Sequence, residues 1–368
     1  MAKSRLHLVT ERGQAVWFDT LSRELVQSGE LARMMQEDAV TGVTSNPTIF
    51  QKAISHGTAY DEQMKECLEE TDDATEIFFR LALDDIREAC DVLRPAFDAS
   101  GGVDGFVSME VEPGIAYDTE KSFAQARWIS GEVERPNLFV KIPATMAGLP
   151  AIEDSIAHGT SINITLIFGL DRYRAVVGAY LRGLERLVAG GGDPSRVASV
   201  ASFFVSRVDT EADKRLEALG NTELQGKLAI ANAKLAYQYY LEAFAGPRWE
   251  FLAGKGARPQ RCLWASTSTK NPAYRDVLYV EELIGRDTVN TMPLETIEAF
   301  QDHGEVRGDT VLEGVDEARD LLVRLADAGV DYDDVTETLE AEGVEKFAAS
   351  FDELLEGIRS KKNLLAAA

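Results

Sequence analysis

Histidine and cysteine are scarce in this 368-residue chain, with four of the first and three of the second. His7, His56, His158 and His303 are scattered, and no HExxH or mixed Cys/His grouping is present. That spacing argues against a structural zinc site or a His-based catalytic pair, and no metal or other cofactor is expected. Cys67, Cys90 and Cys262 form no CxxC pattern, so they read as small buried hydrophobes of a reducing, cytoplasmic protein. No apolar run approaches the length that crosses a bilayer, and the first eight residues lack the apolar core of a signal peptide. Basic charge is also short. Thirty-eight Lys and Arg stand against 62 Asp and Glu, a formal net charge of −24. Nucleic acid and anionic membranes are therefore poor partners, and an anionic small substrate needs a local cluster of cations. Glycine-rich phosphate loops of the GxGxxG or P-loop kind are missing too, as is any linker rich in Pro, Gly and Ser.

What the chain does have is alternation. Eight short strand-like runs, at 15–19, 42–46, 105–110, 139–143, 161–168, 200–206, 262–267 and 288–292, are separated by amphipathic stretches. The helical patterns among them are 21–36, 75–93, 120–132, 170–187, 208–219, 228–244 and 294–300. Strand–helix alternation implies parallel βαβ units, and about eight of them without a dinucleotide fingerprint predict an α/β fold of the (β/α)8 TIM-barrel type. Residues 51–102 are expected to add helices between the second and third strands. Residues 315–368 are helical and acidic, read as the last barrel helix with a C-terminal helical extension. One domain, 1–368, is expected.

Within the fourth strand, Lys141 is a single cation in the apolar run LFVKIPA of residues 138–144. An ammonium in a strand buried on both faces is costly unless paired or deprotonated, and a desolvated lysine amine is a nucleophile towards carbonyls. The plainer alternative is a lysine that snorkels from the strand end to a salt bridge. Other polar residues weigh against it. Barrel strands present their C-terminal ends to one mouth, where the chemistry is done. At those ends stand Asp19, Asn46, Ser108, Glu110, Lys141, Thr145, Asn163, Thr165, Ser202, Arg207, Ser268 and Lys270. Polar groups inside a barrel are expensive unless used. A lysine with two carboxylates and no metal-ligand pattern suggests Schiff-base chemistry on a ketone.

The segment at 40–50, VTGVTSNPTIF, resembles the first transaldolase signature, and LFVKIPAT at 138–145 resembles the second. The likeness continues through SME at 108–110, SINITLIF at 161–168, SFFVSR at 202–207 and ASTSTKN at 265–271. The order is the family's, and the extra length and tail are similar to the longer, actinobacterial-type transaldolases. The resemblance implies that Lys141 attacks the C2 carbonyl of a ketose phosphate. It implies that Asp19 acts on the C4 hydroxyl, and that Glu110, with Thr145 and a water, moves the protons of the carbinolamine. Asn46 and Asn163 would hold the dihydroxyacetone unit, with Thr165 and Ser202 as nearby donors. Arg207, Ser268 and Lys270 would bind phosphate. The family commonly has arginine where this chain has Lys270, and lysine cannot form a bidentate fork.

The expected reaction is transfer of a dihydroxyacetone unit from sedoheptulose 7-phosphate or fructose 6-phosphate to glyceraldehyde 3-phosphate or erythrose 4-phosphate. That is pentose phosphate pathway chemistry, by a cytoplasmic monomer or homodimer. Two alternatives stay open: a Schiff-base aldolase that simply cleaves fructose 6-phosphate, and an inactive sugar-phosphate-binding barrel. Phe204 favours transfer, since the resemblance implies phenylalanine there in transferring enzymes and tyrosine in simple aldolases.

Overall fold

The apolar runs pair side by side in a computed structural model that describes residues 4–55 and 58–366, so His56 lies outside the described residues. The strands are β1 (Gln14–Phe18), β2 (Val40–Thr44), β3 (Val107–Glu110) and β4 (Leu138–Pro143). They are followed by β5 (Ile162–Ile167), β6 (Ser199–Phe204), β7 (Arg261–Ala265) and β8 (Thr288–Met292). Each pairs in parallel with the next, and β1 pairs with β8, closing the (β/α)8 barrel. Every residue of β4 and β5 is buried. Helices cover the outer face and side chains fill the inner one, which explains runs without polar–apolar alternation.

Register sets the heights of the polar groups. Glu110 lies opposite Lys141, and Lys141 opposite Asn163, so the three share one level. Side chains on a strand alternate faces, and the inward residue two positions before each mouth residue lies one layer lower. Trp17 stands in that way before Asp19, and Phe139 before Lys141. The Phe106 and Phe139 rings stack at 4.0 Å, and Trp17 lies 6.1 Å from Phe139. Since β1 and β4 are not neighbours, this contact crosses the barrel interior. An aromatic layer thus underlies the mouth.

The expected helix at 21–36 is in fact two, Arg23–Gln27 and Glu30–Glu37. Gly29 breaks it, with φ at +81°, a left-handed conformation that glycine adopts without a Cβ penalty. The insertion between β2 and β3 holds helices Pro47–Ser55, Asp61–Glu70 and Ala74–Ala99. Helix Leu294–His303 directly follows β8, and helices Val315–Asp327 and Tyr332–Ala366 form the C-terminal extension. Tyr332–Ala366 packs on Pro47–Ser55, on Ala74–Ala99, on the barrel helix after β6 (Ser206–Ala218), and on β5. It therefore lies on the mouth side of the barrel.

Candidate active site

A cavity of about 220 Å³ opens at the C-terminal ends of the strands. Nine of the twelve site residues expected from sequence line it: Asp19, Asn46, Lys141, Thr165, Ser202, Phe204, Arg207, Ser268 and Lys270. The other three stand behind this wall. Larger clefts of about 590 and 730 Å³ lie at the opposite end of the barrel and among the helices at 61–99 and 119–133. Neither is lined by a lysine.

Lys141 sits at the cavity base, its side chain 7% exposed. Its Nζ donates to the Ser45 carbonyl at 3.1 Å and lies 3.1 Å from Glu110 Oε2. Apart from this ion pair, neither carboxylate oxygen of Glu110 has a partner among the described residues. Burial raises the Glu110 carboxyl above the usual carboxylate range, Lys141 pulls it back down, and Asp19 adds to the rise. Glu110 faces a separate small cavity lined also by Ser45, Asn46 and Phe351.

Asp19 follows β1 and accepts a hydrogen bond from Thr44 Oγ1 at 2.6 Å. Thr44 in turn shares a 2.7 Å contact with the Thr291 hydroxyl. Burial raises the Asp19 pKa, while the Thr44 hydrogen bond and the fields of Lys141 and Arg207 oppose the rise. Two carboxylates near one amine are thus both shifted towards neutrality, which suits groups that exchange protons.

The polar side wall is built from β5 and β6. Asn163 is fully buried; its Nδ2 donates to Ser108 Oγ at 3.0 Å and its Oδ1 accepts from Ser202 Oγ at 2.7 Å. It therefore supports the cavity from beneath, one level with Lys141. The Thr165 hydroxyl is buried without a hydrogen-bond partner and borders the cavity. Asn46 caps the next helix, its Oδ1 accepting from the Ile49 amide at 3.0 Å. Thr145 does not line the cavity. Its hydroxyl donates to the Ala116 carbonyl and accepts from the Gly148 amide at 2.9 Å, which ties down the loop after β4.

The rim beyond β6 and β7 is cationic. Arg207, half-buried at the start of helix Ser206–Ala218, stacks over Phe204 with 5.1 Å from guanidinium carbon to ring centroid. Among the described residues no side chain or carbonyl accepts a hydrogen bond from it, although Asp19 and Glu342 attract it from a distance. Lys270 donates to Ser268 Oγ at 2.6 Å. A guanidinium and an ammonium thus border a small polar cavity, a combination with the chemistry to bind an anion.

Glu295 and Phe347 are among the lining residues that sequence reasoning did not single out. Glu295 lies just outside the last strand, on the helix that follows β8, and is exposed. Phe347 belongs to the C-terminal extension, where its spacing matched an ordinary apolar stripe.

Residues 16–358 match the profile of the transaldolase/fructose-6-phosphate aldolase family. The chain belongs to this family. It is 55% identical to a transaldolase of Parafrankia sp. (strain EAN1pec), with 95% of each chain covered. It is also 55% identical to a transaldolase of Acidothermus cellulolyticus, covering 93% of this chain and 92% of that one. Transaldolase 1 of Streptomyces coelicolor is 52% identical over 96% of this chain and 93% of its own. The likeness to the actinobacterial proteins spans the barrel and the C-terminal extension alike. Among the described residues no helix is long and apolar enough to cross a membrane.

Proposed function

We propose that the chain is a transaldolase that carries a dihydroxyacetone unit from a ketose phosphate to an aldose phosphate through a Schiff base on Lys141. The observation that carries this reading is the buried Lys141 amine, 3.1 Å from Glu110, at the base of a cavity whose wall presents Arg207 and Lys270. Lys141 attacks the C2 carbonyl, and Glu110 takes and returns the protons as the carbinolamine loses water. Asp19 then removes the C4 hydroxyl proton, the C3–C4 bond breaks and the aldose phosphate leaves. The three-carbon enamine stays on Lys141 until an acceptor aldehyde arrives. Asp19 next gives its proton to the new hydroxyl, and water releases the product ketose. Asn46 and Thr165 bind the retained fragment, with Ser202 held in place by Asn163. Arg207, Ser268 and Lys270 hold the phosphate. Thr145 contributes by fixing the loop after β4.

Sedoheptulose 7-phosphate and fructose 6-phosphate are the proposed donors, with glyceraldehyde 3-phosphate and erythrose 4-phosphate as acceptors. A cytoplasmic monomer or homodimer acting on sugar phosphates, without nucleic acid or cofactor, fits the reading. Simple aldol cleavage is the second reading, and the shared family description keeps it in view. Phe204 beside the cavity and the names of the relatives favour transfer. Turnover of fructose 6-phosphate with and without erythrose 4-phosphate separates the two. Transfer requires turnover to depend on the acceptor; equal turnover without it means simple cleavage.

A further inference from the structure

Helix Tyr332–Ala366 reaches the cavity wall through Phe347, whose ring centroid lies 5.7 Å from Lys141 Nζ. The amine therefore has three neighbours: the Ser45 carbonyl, the Glu110 carboxylate and an aromatic face. The helix is pinned in register on both sides of this residue. Glu340 pairs with Arg172 at 2.9 Å. Gly343 passes so close to the end of β5 that a Cβ would stand 2.9 Å from Leu166. Ser350 accepts a hydrogen bond from Thr48 at 2.8 Å, and Phe351 meets Phe78 edge-on at 5.4 Å. Residues 340, 343, 347 and 351 recur every three or four positions, so one face of this helix is committed to the mouth. Phe351 is placed among other aromatic rings, whereas Phe347 stands over a buried ammonium.

We infer that Phe347 is a positioning residue that decides the fate of the three-carbon fragment on Lys141, favouring transfer over hydrolysis. This rests on the Schiff-base reading above. Two outcomes compete once the aldose phosphate has left. In transfer, the enamine carbon forms a bond to the acceptor carbonyl carbon, and the acceptor oxygen takes the proton from Asp19. In hydrolysis, the enamine carbon takes a proton instead, and water adds at C2. The carbinolamine then breaks its C–N bond, giving free dihydroxyacetone and the Lys141 amine. Both outcomes pass through an iminium nitrogen that is positively charged. That charge is common to both, so the ring acts on the choice between them by filling space beside Lys141 that water needs to protonate and hydrate the waiting fragment. The C-terminal extension thereby supplies part of the site.

The test measures free dihydroxyacetone released against ketose formed, with fructose 6-phosphate and erythrose 4-phosphate as substrates. Phe347→Leu removes the ring and part of its volume; Phe347→Ala removes nearly all of it. Leu354→Ala is the control, a buried residue of the same helix away from the cavity. The expected result is a release-to-transfer ratio raised about fivefold in Phe347→Leu, whose narrower side chain leaves part of the ring's space to water. The rise is larger in Phe347→Ala, and Leu354→Ala leaves the ratio at the wild-type value. An unchanged ratio in the leucine variant, or an equal rise in Leu354→Ala, overturns the role of Phe347. Borohydride trapping of the wild type keeps the two readings apart, because an adduct on Lys141 with an unchanged ratio removes only Phe347.

Discussion

In the lower layer of the barrel, Asp104 is engaged on both oxygens: Trp17 Nε1 donates to one at 2.8 Å and the Thr41 hydroxyl to the other. Arg261 adds a charge 3.6 Å away, beside three packed aromatic rings. One layer up, the polar groups are under-used. Among the described residues Glu110 has only an ion pair, the Thr165 hydroxyl has no partner, and the Arg207 guanidinium borders a cavity. Unmet hydrogen-bonding capacity inside a protein costs stability; the lower barrel has some of its own, at Gln14, Gln260 and Arg261, but at the mouth it borders a cavity that a ligand can enter. The lower layer holds the barrel together, and the mouth is left incomplete for a ligand.

Substitutions should separate the two layers. The largest effect is expected from Lys141→Ala, with kcat lowered roughly 10⁴-fold or more while the folded structure persists. Circular dichroism and kinetics on one preparation check this. Asp19→Asn comes next, with kcat down about 10²- to 10⁴-fold, the range for losing a general base. Its stability should move the opposite way. Burial raises the folded Asp19 pKa above its ordinary 3.8, so the ionised carboxylate weakens the fold once pH rises through the raised value. Asp19→Asn should therefore gain stability at neutral pH, and the gain should shrink as pH falls towards 3.8. Urea titrations at several pH values measure it, and a gain independent of pH would count against the shift.

In the lower layer the pattern reverses. Phe106→Ala should cost about 3–5 kcal/mol in urea unfolding, with kcat per folded molecule within about threefold of wild type. A comparable loss of kcat would mean that the layers are not separable. The smallest effect is expected at Lys270. Lys270→Arg should lower KM for fructose 6-phosphate by about two- to tenfold, because a guanidinium can bind phosphate through two hydrogen bonds. An unchanged KM would place Lys270 outside phosphate binding.

How much of this was legible in the sequence depends on what each residue contrasts with. Lys141 was visible because one cation interrupts an apolar strand. Asp19, Asn46, Arg207 and Lys270 were visible because they follow such runs, and Thr165 because it lies near the end of one; strand ends were placed within one or two residues. Thr145 satisfied the same pattern, yet its hydroxyl turns to the Ala116 carbonyl, a loop geometry that spacing does not encode. The break at Gly29 hid inside a periodic amphipathic stretch, where one residue's left-handed backbone overrides the pattern. Phe347 offered no contrast at all. A phenylalanine in a helical apolar stripe looks the same whether it meets other rings or an amine, and only tertiary packing tells them apart.

Borohydride reduction in the presence of fructose 6-phosphate, followed by peptide mapping, tests Schiff-base chemistry most directly. The result predicted is a reduced three-carbon adduct on Lys141, absent from Lys141→Ala. No adduct, or one carried by a different lysine, would contradict the mechanism.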